Sequence, residues 1–128
     1  MHWLIGIFII LHGMVHTWYV VLSFNWVTFQ PDMGWTGTSW LLTPLFETRS
    51  LKKIAGFLFA LAGLVFIASG IFLLSNNDTW QSLMLGSAIF SGSVIILFWD
   101  GKFSMLMQKG VIGLIIDLVI VVYLTVFI

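Results

Sequence analysis

The chain has 128 residues, of which 60% are hydrophobic and only 8% are charged, and its formal net charge at pH 7 is zero. Soluble domains carry about 25% charged residues, so this composition predicts an integral membrane protein whose first partner is the lipid bilayer. The zero net charge argues against a nucleic-acid partner, because binding nucleic acid requires a clustered basic surface. The chain has no cysteine, which excludes disulfides, thiolate metal sites and iron–sulfur clusters.

Four apolar segments are long enough to cross a bilayer, which takes about 20 residues for a hydrocarbon core of roughly 30 Å. They lack the period-2 alternation of barrel strands and therefore indicate helices. We predict an all-α polytopic membrane protein, a single domain in which four transmembrane helices form an antiparallel bundle. The predicted helices span about residues 3–24, 53–75, 80–99 and 105–128.

Polar side chains share one face of the first predicted helix. At about 100° per residue, the side chains at four positions fall within about 60° of one another: His12, His16, Tyr19 and Ser23. Ionisable groups inside a bilayer are costly and by default mark a functional site. The face therefore predicts a protonatable site that runs from mid-membrane to one end of the helix.

The connection between the first two helices, about residues 25–52, is too long for a simple turn. Long loops in compact domains are usually functional or structured. This one is rich in tryptophan, which favours the membrane interface, so we expect it to cap the cytoplasmic surface. A short helix near residues 38–46, with Thr38 or Ser39 as its N-cap, is one expectation. An interfacial anchor and a lid over a site are equal alternatives for the loop.

Small residues four apart occur on the middle helices. Gly56 and Ala60 on the second, and Ser87 and Ser91 on the third, indicate close helix packing or contacts in an oligomer. Asp100 follows the third helix and is interpreted first as a turn residue. The alternative is that Asp100 is a polar group at the mouth of the site.

On the fourth helix, Gly110, Gly113 and Asp117 occupy one face within about 60°. A lone aspartate near the bilayer centre costs roughly 2.5–3.5 kcal/mol on insertion scales, so Asp117 should find a partner. The histidines are the only ionisable candidates at that depth. We therefore predict that the first and fourth helices touch along His12, His16 and Asp117, with His16 level with Asp117.

The five cations set the predicted orientation. They lie in the first and third connections, at Arg49, Lys52, Lys53, Lys102 and Lys109. Cytoplasmic loops carry the excess of Lys and Arg, so both connections are expected inside the cell. This predicts a multi-pass protein of the inner (cytoplasmic) membrane, with both termini outside and the polar site opening toward the cytoplasm.

The leading functional hypothesis is binding or translocation of a small or amphiphilic ligand, coupled to protonation of the His/Asp site. One alternative is an accessory subunit of a larger membrane complex, whose polar residues only fix helix register. Another is an acid–base enzyme that acts on a lipid-like substrate. No cofactor is assigned. A metal is a further alternative, and if one binds, its ligands are His12, His16 and Asp117.

The stretches HGMVH, FWDGK and KGVIGLIID resemble small uncharacterised four-helix membrane proteins of prokaryotes. The resemblance covers most of the chain and implies the four-helix fold, but it carries no activity. Four short helices bury little surface by themselves. We therefore expect a homo-oligomer or a place in a larger membrane complex.

Overall fold

The computed structural model describes residues 2–24, 26–27, 35, 37–104, 106–107 and 109–128. In these residues the chain forms four α-helices and no strand, which confirms the all-α prediction. Three of the helices are long and apolar enough to cross a membrane, and the fourth is a shorter apolar helix. The helices are α1 (His2–Ser23), α2 (Thr48–Leu74), α3 (Trp80–Leu97) and α4 (Val111–Val126).

The helix bounds differ most from the sequence prediction at α2 and α4. α2 begins at Thr48 rather than near residue 53, because its Arg and Lys residues are good helix formers although they bound the apolar stretch. α4 begins only at Val111, after Gly110, whose φ of 95° lies in the left-handed region. Its 16 residues are about 24 Å long at ~1.5 Å per residue, which is shorter than the predicted span of 105–128.

α1 packs most closely on α2, through pairs of glycines. A Cβ built on Gly13 would lie 2.8 Å from the carbonyl oxygen of Gly63, and one built on Gly70 would lie 2.8 Å from that of Gly6. No side chain fits at these distances. The two backbones are therefore in direct contact, as small residues allow between membrane helices.

α4 packs on α3, whereas its backbone keeps away from α1. Two buried clusters fill the space between the helices. One is centred on Phe66 and Met84 and the other on Phe59 and Phe98. The separation of α1 from α4 leaves room for cavities on that side of the molecule.

The described end of the first connection, residues 37–47, is called the capping segment because it covers the end of α3. The Ser39 hydroxyl donates to the Leu97 carbonyl at 2.5 Å. The Trp40 backbone N–H donates to Trp99 at 2.7 Å, and its indole Nε1 donates to Ile96 at 2.8 Å. These bonds add donors to carbonyls at the end of α3 and just beyond it, where the helix itself supplies few.

The predicted short helix near residues 38–46 is instead a series of hydrogen-bonded turns over 40–45. Ser39 begins them as a cap does, because its Oγ accepts from the backbone N–H of Leu42 at 3.0 Å. Residues 25, 28–34 and 36 of the predicted loop lie outside the described residues.

Candidate functional site

A buried polar pair joins α1 to α4. His12 Nε2 lies 3.0 Å from Asp117 Oδ1, and the two side chains are only 4% and 2% exposed. An ionised carboxylate only accepts hydrogen bonds, so the contact with such a carboxylate requires a proton on His12 Nε2. We predicted that α1 and α4 touch along both histidines and Asp117, with His16 level with Asp117, yet the histidine within hydrogen-bond distance of Asp117 is His12. α1 continues from His12 to Ser23, whereas α4 begins at Val111, only about two turns before Asp117.

His16 is held by α3 instead of α4. Its Nε2 lies 3.2 Å from the hydroxyl of Ser91. The other ring nitrogen, Nδ1, is buried and has no hydrogen-bond partner, and the same is true of Asp117 Oδ2. A buried polar atom without a partner costs about 1–3 kcal/mol, so such atoms in a native protein require an explanation.

Aromatic side chains of α2 fix the histidine rings. The rings of His16 and Phe66 are nearly parallel, with centroids 5.6 Å apart and planes 4° from each other. Phe59 also lies almost parallel to His16, at 6.3 Å and 19°. The edge contact of His12 on Phe66 has a centroid distance of 4.8 Å. A Cβ built on Gly63 would lie 3.2 Å from His16 Cβ, so this glycine makes room for the ring.

A cavity of about 220 Å³ lies between α1 and α4, and both histidines line it. Its walls are otherwise mainly apolar. Three of its lining residues are strongly exposed: Val15 (52%), Met107 (64%) and Ile112 (48%). The cavity therefore opens along the side of the molecule, from α1 and α4 to the connection before α4.

Phe8 separates this site from a second cavity. That cavity, of about 330 Å³, is apolar and lies nearer the N-terminal end of α1, with Phe8 and Trp80 in its wall. The Phe8 ring is stacked on His12, with centroids 6.3 Å apart and planes 9° from each other. Apart from His2 and Tyr123, the residues that line this cavity are apolar.

Tyr19 belongs to the site and Ser23 does not. Tyr19 lines the cavity, and its hydroxyl would lie 3.1 Å from a Cβ built on Gly110. Ser23 is buried, but its hydroxyl donates to the backbone carbonyl of Tyr19 at 2.6 Å. The hydroxyl of Ser23 is thus satisfied within its own helix, and Ser23 is not among the residues that line the cavity.

Asp100 organises the connection between α3 and α4 and lies apart from the cluster. Its Oδ2 is 2.7 Å from Lys109 Nζ, and its Oδ1 accepts from the backbone N–H of Lys102 at 3.0 Å. Partial burial raises the pKa of the Asp100 carboxyl, but the hydrogen bonds and charges of Lys109 and Lys102 outweigh it and hold the pKa below its usual value. Asp100 therefore makes the contacts of a turn residue, and it is not among the residues that line the cavity.

The role of Ser91 was not predicted, because its spacing from Ser87 was interpreted as a packing pattern. That spacing was a weak signal, since α3 also carries Gln81, Ser82 and Ser93. No periodicity on α3 shows that His16 lies opposite, because that depends on how α1 and α3 are rotated against α2.

No known protein family, curated protein or solved structure matches the chain. The site consists of two imidazoles and one carboxylate, all buried. The two histidines line a cavity with a mainly apolar wall, whereas Asp117 lines a separate pocket between α3 and α4.

Proposed function

We propose that the protein is a four-helix membrane protein that binds a small or amphiphilic ligand at the cluster of His12, His16 and Asp117. The observation that carries the proposal is the buried His16 Nδ1, which has no hydrogen-bond partner although His16 lines the cavity of about 220 Å³. A polar head group in this cavity would give Nδ1 the missing hydrogen bond, whereas a purely structural role of His16 would leave it unmade. Asp117, whose Oδ2 also lacks a partner, binds His12 from the other side of the site.

In this proposal α4 is the fourth crossing and the bundle is antiparallel. Gly6 meets Gly70 and Gly13 meets Gly63, an order that supports opposite directions of α1 and α2. The Lys and Arg residues support a cytoplasmic location for the first and third connections, with both termini outside the inner membrane. Flanking residues and local thinning of the bilayer accommodate the short α4.

The exposed rim of the cavity indicates how the ligand enters. Val15 and Ile112 lie on the sides of α1 and α4, which face lipid in a bilayer, and Met107 lies before α4. An amphiphile in the cytoplasmic leaflet would place its head group at the histidines and leave its chain among the lipids. No described residue of the capping segment lines this cavity, which favours the role of anchor over that of lid.

The proposal is tested with three ten-carbon probes that differ only in the head group: decanoate, decanol and decylamine. The measurement is the unfolding temperature of the purified protein in lipid nanodiscs. At least one probe should raise it, because a ligand at 100 times its Kd stabilises a protein by about 2.7 kcal/mol.

The same shift should be absent in His16→Ala and present in Thr17→Val. Thr17 is the matched control because it is the exposed neighbour of His16, and its hydroxyl donates within α1. Circular dichroism confirms that each variant is folded. No shift with any probe, or an equal shift in His16→Ala, would show that the ligand does not bind at this cluster.

A further inference from the structure

Three potential metal ligands lie together at the centre of the site. One ligand atom each from His12, His16 and Asp117 lie within 4.8 Å of one another, and all three residues are buried. Two imidazoles and one carboxylate form a donor set suited to zinc or iron(II). We propose that these residues bind one divalent transition-metal ion. The inference rests on the site of the proposed function, although it requires no amphiphile.

The distances between the ligand atoms are compatible with one shared ion. Two ligands at about 2.1 Å from a metal are about 3.0 Å apart at an octahedral angle and about 3.4 Å apart at a tetrahedral angle. His12 Nε2 and Asp117 Oδ1 are 3.0 Å apart. The three ligand atoms lie within 4.8 Å of one another. A shift of about 1.5 Å would bring the most distant atom to coordination distance, and small changes in side-chain torsion angles can supply it.

One ring nitrogen of His16 has a hydrogen-bond partner and the other has none, which suits a histidine that binds a metal. A histidine that binds a metal through one nitrogen usually donates from the other to a nearby acceptor, which fixes the ring. Ser91 Oγ is such an acceptor at Nε2. Nδ1 remains buried without a partner, as does Asp117 Oδ2. A bound ion would give His16 Nδ1 a partner, and a carboxylate that binds the ion through both oxygens would give Oδ2 one as well.

The adjoining cavity leaves a place for a further ligand. A divalent ion held by two neutral imidazoles and one carboxylate keeps one positive charge, which is costly in an apolar surrounding. The cavity of about 220 Å³ beside the histidines has room for an anionic or polarisable group on the ion. A site with three protein ligands and an open position is typical of zinc that binds or activates a substrate.

The test is metal binding to purified protein in nanodiscs, first stripped with a chelator and then titrated with Zn²⁺ or Co²⁺. Elemental analysis should give one ion per chain, and Co²⁺ should show the visible absorption of a nitrogen- and oxygen-coordinated ion. His16→Ala and Asp117→Asn should abolish stoichiometric binding. Ser91→Ala should weaken metal binding by roughly 10–100-fold, because Ser91 is the hydrogen-bond partner that orients the ligand His16.

His2→Ala is the matched control, because His2 is an exposed histidine of the same helix. This variant should bind like the wild type. Asp117→Asn keeps a side chain of the same shape and a hydrogen-bond acceptor for His12, so its binding remains informative where His16→Ala fails to fold. Binding that survives in Asp117→Asn, or no ion above background in the wild type, overturns the metal site.

The amphiphile experiment, repeated on stripped and on metal-loaded protein, separates the two proposals. A thermal shift with a probe in protein that binds no ion overturns the metal site and leaves the proposed function standing. Stoichiometric metal without any probe shift supports the metal site and contradicts the proposed function.

Discussion

The faces that α1 turns toward α2 and toward α4 are built in opposite ways. Toward α2, paired glycines bring the backbones into contact, and no space remains. Toward α4, the backbones stay apart, cavities lie between them, and a bond from His12 to Asp117 crosses the gap. The α2-facing side of α1 therefore stabilises the fold, and the α4-facing side has space in which a ligand can bind.

The largest effect is expected where the glycines meet. Gly13→Leu places a side chain where even a Cβ is 2.8 Å from a carbonyl oxygen, so it should lower the free energy of unfolding by about 3 kcal/mol. The measurement is the denaturation midpoint in mixed micelles. Gly86→Leu is the control, because a Cβ built on Gly86 has no neighbour within 4 Å. Equal losses in both variants would contradict the contrast between the two faces.

A smaller loss of stability is expected when the polar contact on the α4-facing side of α1 is removed. His12→Leu leaves a buried carboxylate without its partner and should lower the free energy of unfolding by about 2 kcal/mol. The double variant His12→Leu/Asp117→Leu should recover most of this loss, because replacing both members of a buried pair by apolar residues is often neutral. Its metal binding should remain absent. A double variant no more stable than the single one would show that the pair does not act as a unit.

The capping segment provides a polar contact that serves the fold alone. Ser39→Ala removes the bonds to Leu97 and Leu42 and should lower the free energy of unfolding by about 1 kcal/mol. Metal binding and the probe shifts should stay unchanged, since the segment does not line the cavity. Ser93→Ala is the control, because the exposed Ser93 hydroxyl donates only within its own helix. A change of metal affinity in Ser39→Ala would show that the segment supports the site.

The smallest effect concerns the ion pair of Asp100 with Lys109. The folded protein holds the pKa of Asp100 below its usual value, so the pair stabilises the fold above the unfolded pKa. This contribution is lost as the pH falls through the lowered folded pKa. Asp100→Asn should therefore cost up to about 1 kcal/mol near neutral pH, and the difference from the wild type should vanish well below pH ~4. A difference that persists in acid would mean that Asp100 acts by its shape and not its charge.

Periodicity placed His12 and His16 on one face of α1, and the cost of a lone carboxylate in the bilayer connected that face with Asp117. It could not select which histidine meets Asp117, since that depends on how far α1 and α4 are shifted along their axes. The first and last residues of the helices could not be predicted either. Gly110 delays the start of α4 through its backbone conformation, which hydropathy does not register.

Contacts between segments that are distant in sequence also could not be predicted. Ser91 and Phe66 contact the histidines only once α2 and α3 have packed, and both residues look like ordinary core on their own helices. The sequence offered Thr38 or Ser39 as the cap of the following turns, and the structure has Ser39 in that position. Its bond to Leu97 connects residues 58 positions apart, and no local pattern contains that information.

The bond between His12 and Asp117 joins residues 105 positions apart, and this separation has a consequence for biosynthesis. The chain is made from its N-terminus, so Asp117 is synthesised 105 residues after His12. In the four-crossing arrangement that we propose, α4 would carry into the membrane a carboxylate that resists insertion. The hydrogen bond to His12 would lower this cost, so a residue of the first helix would help to retain the last one.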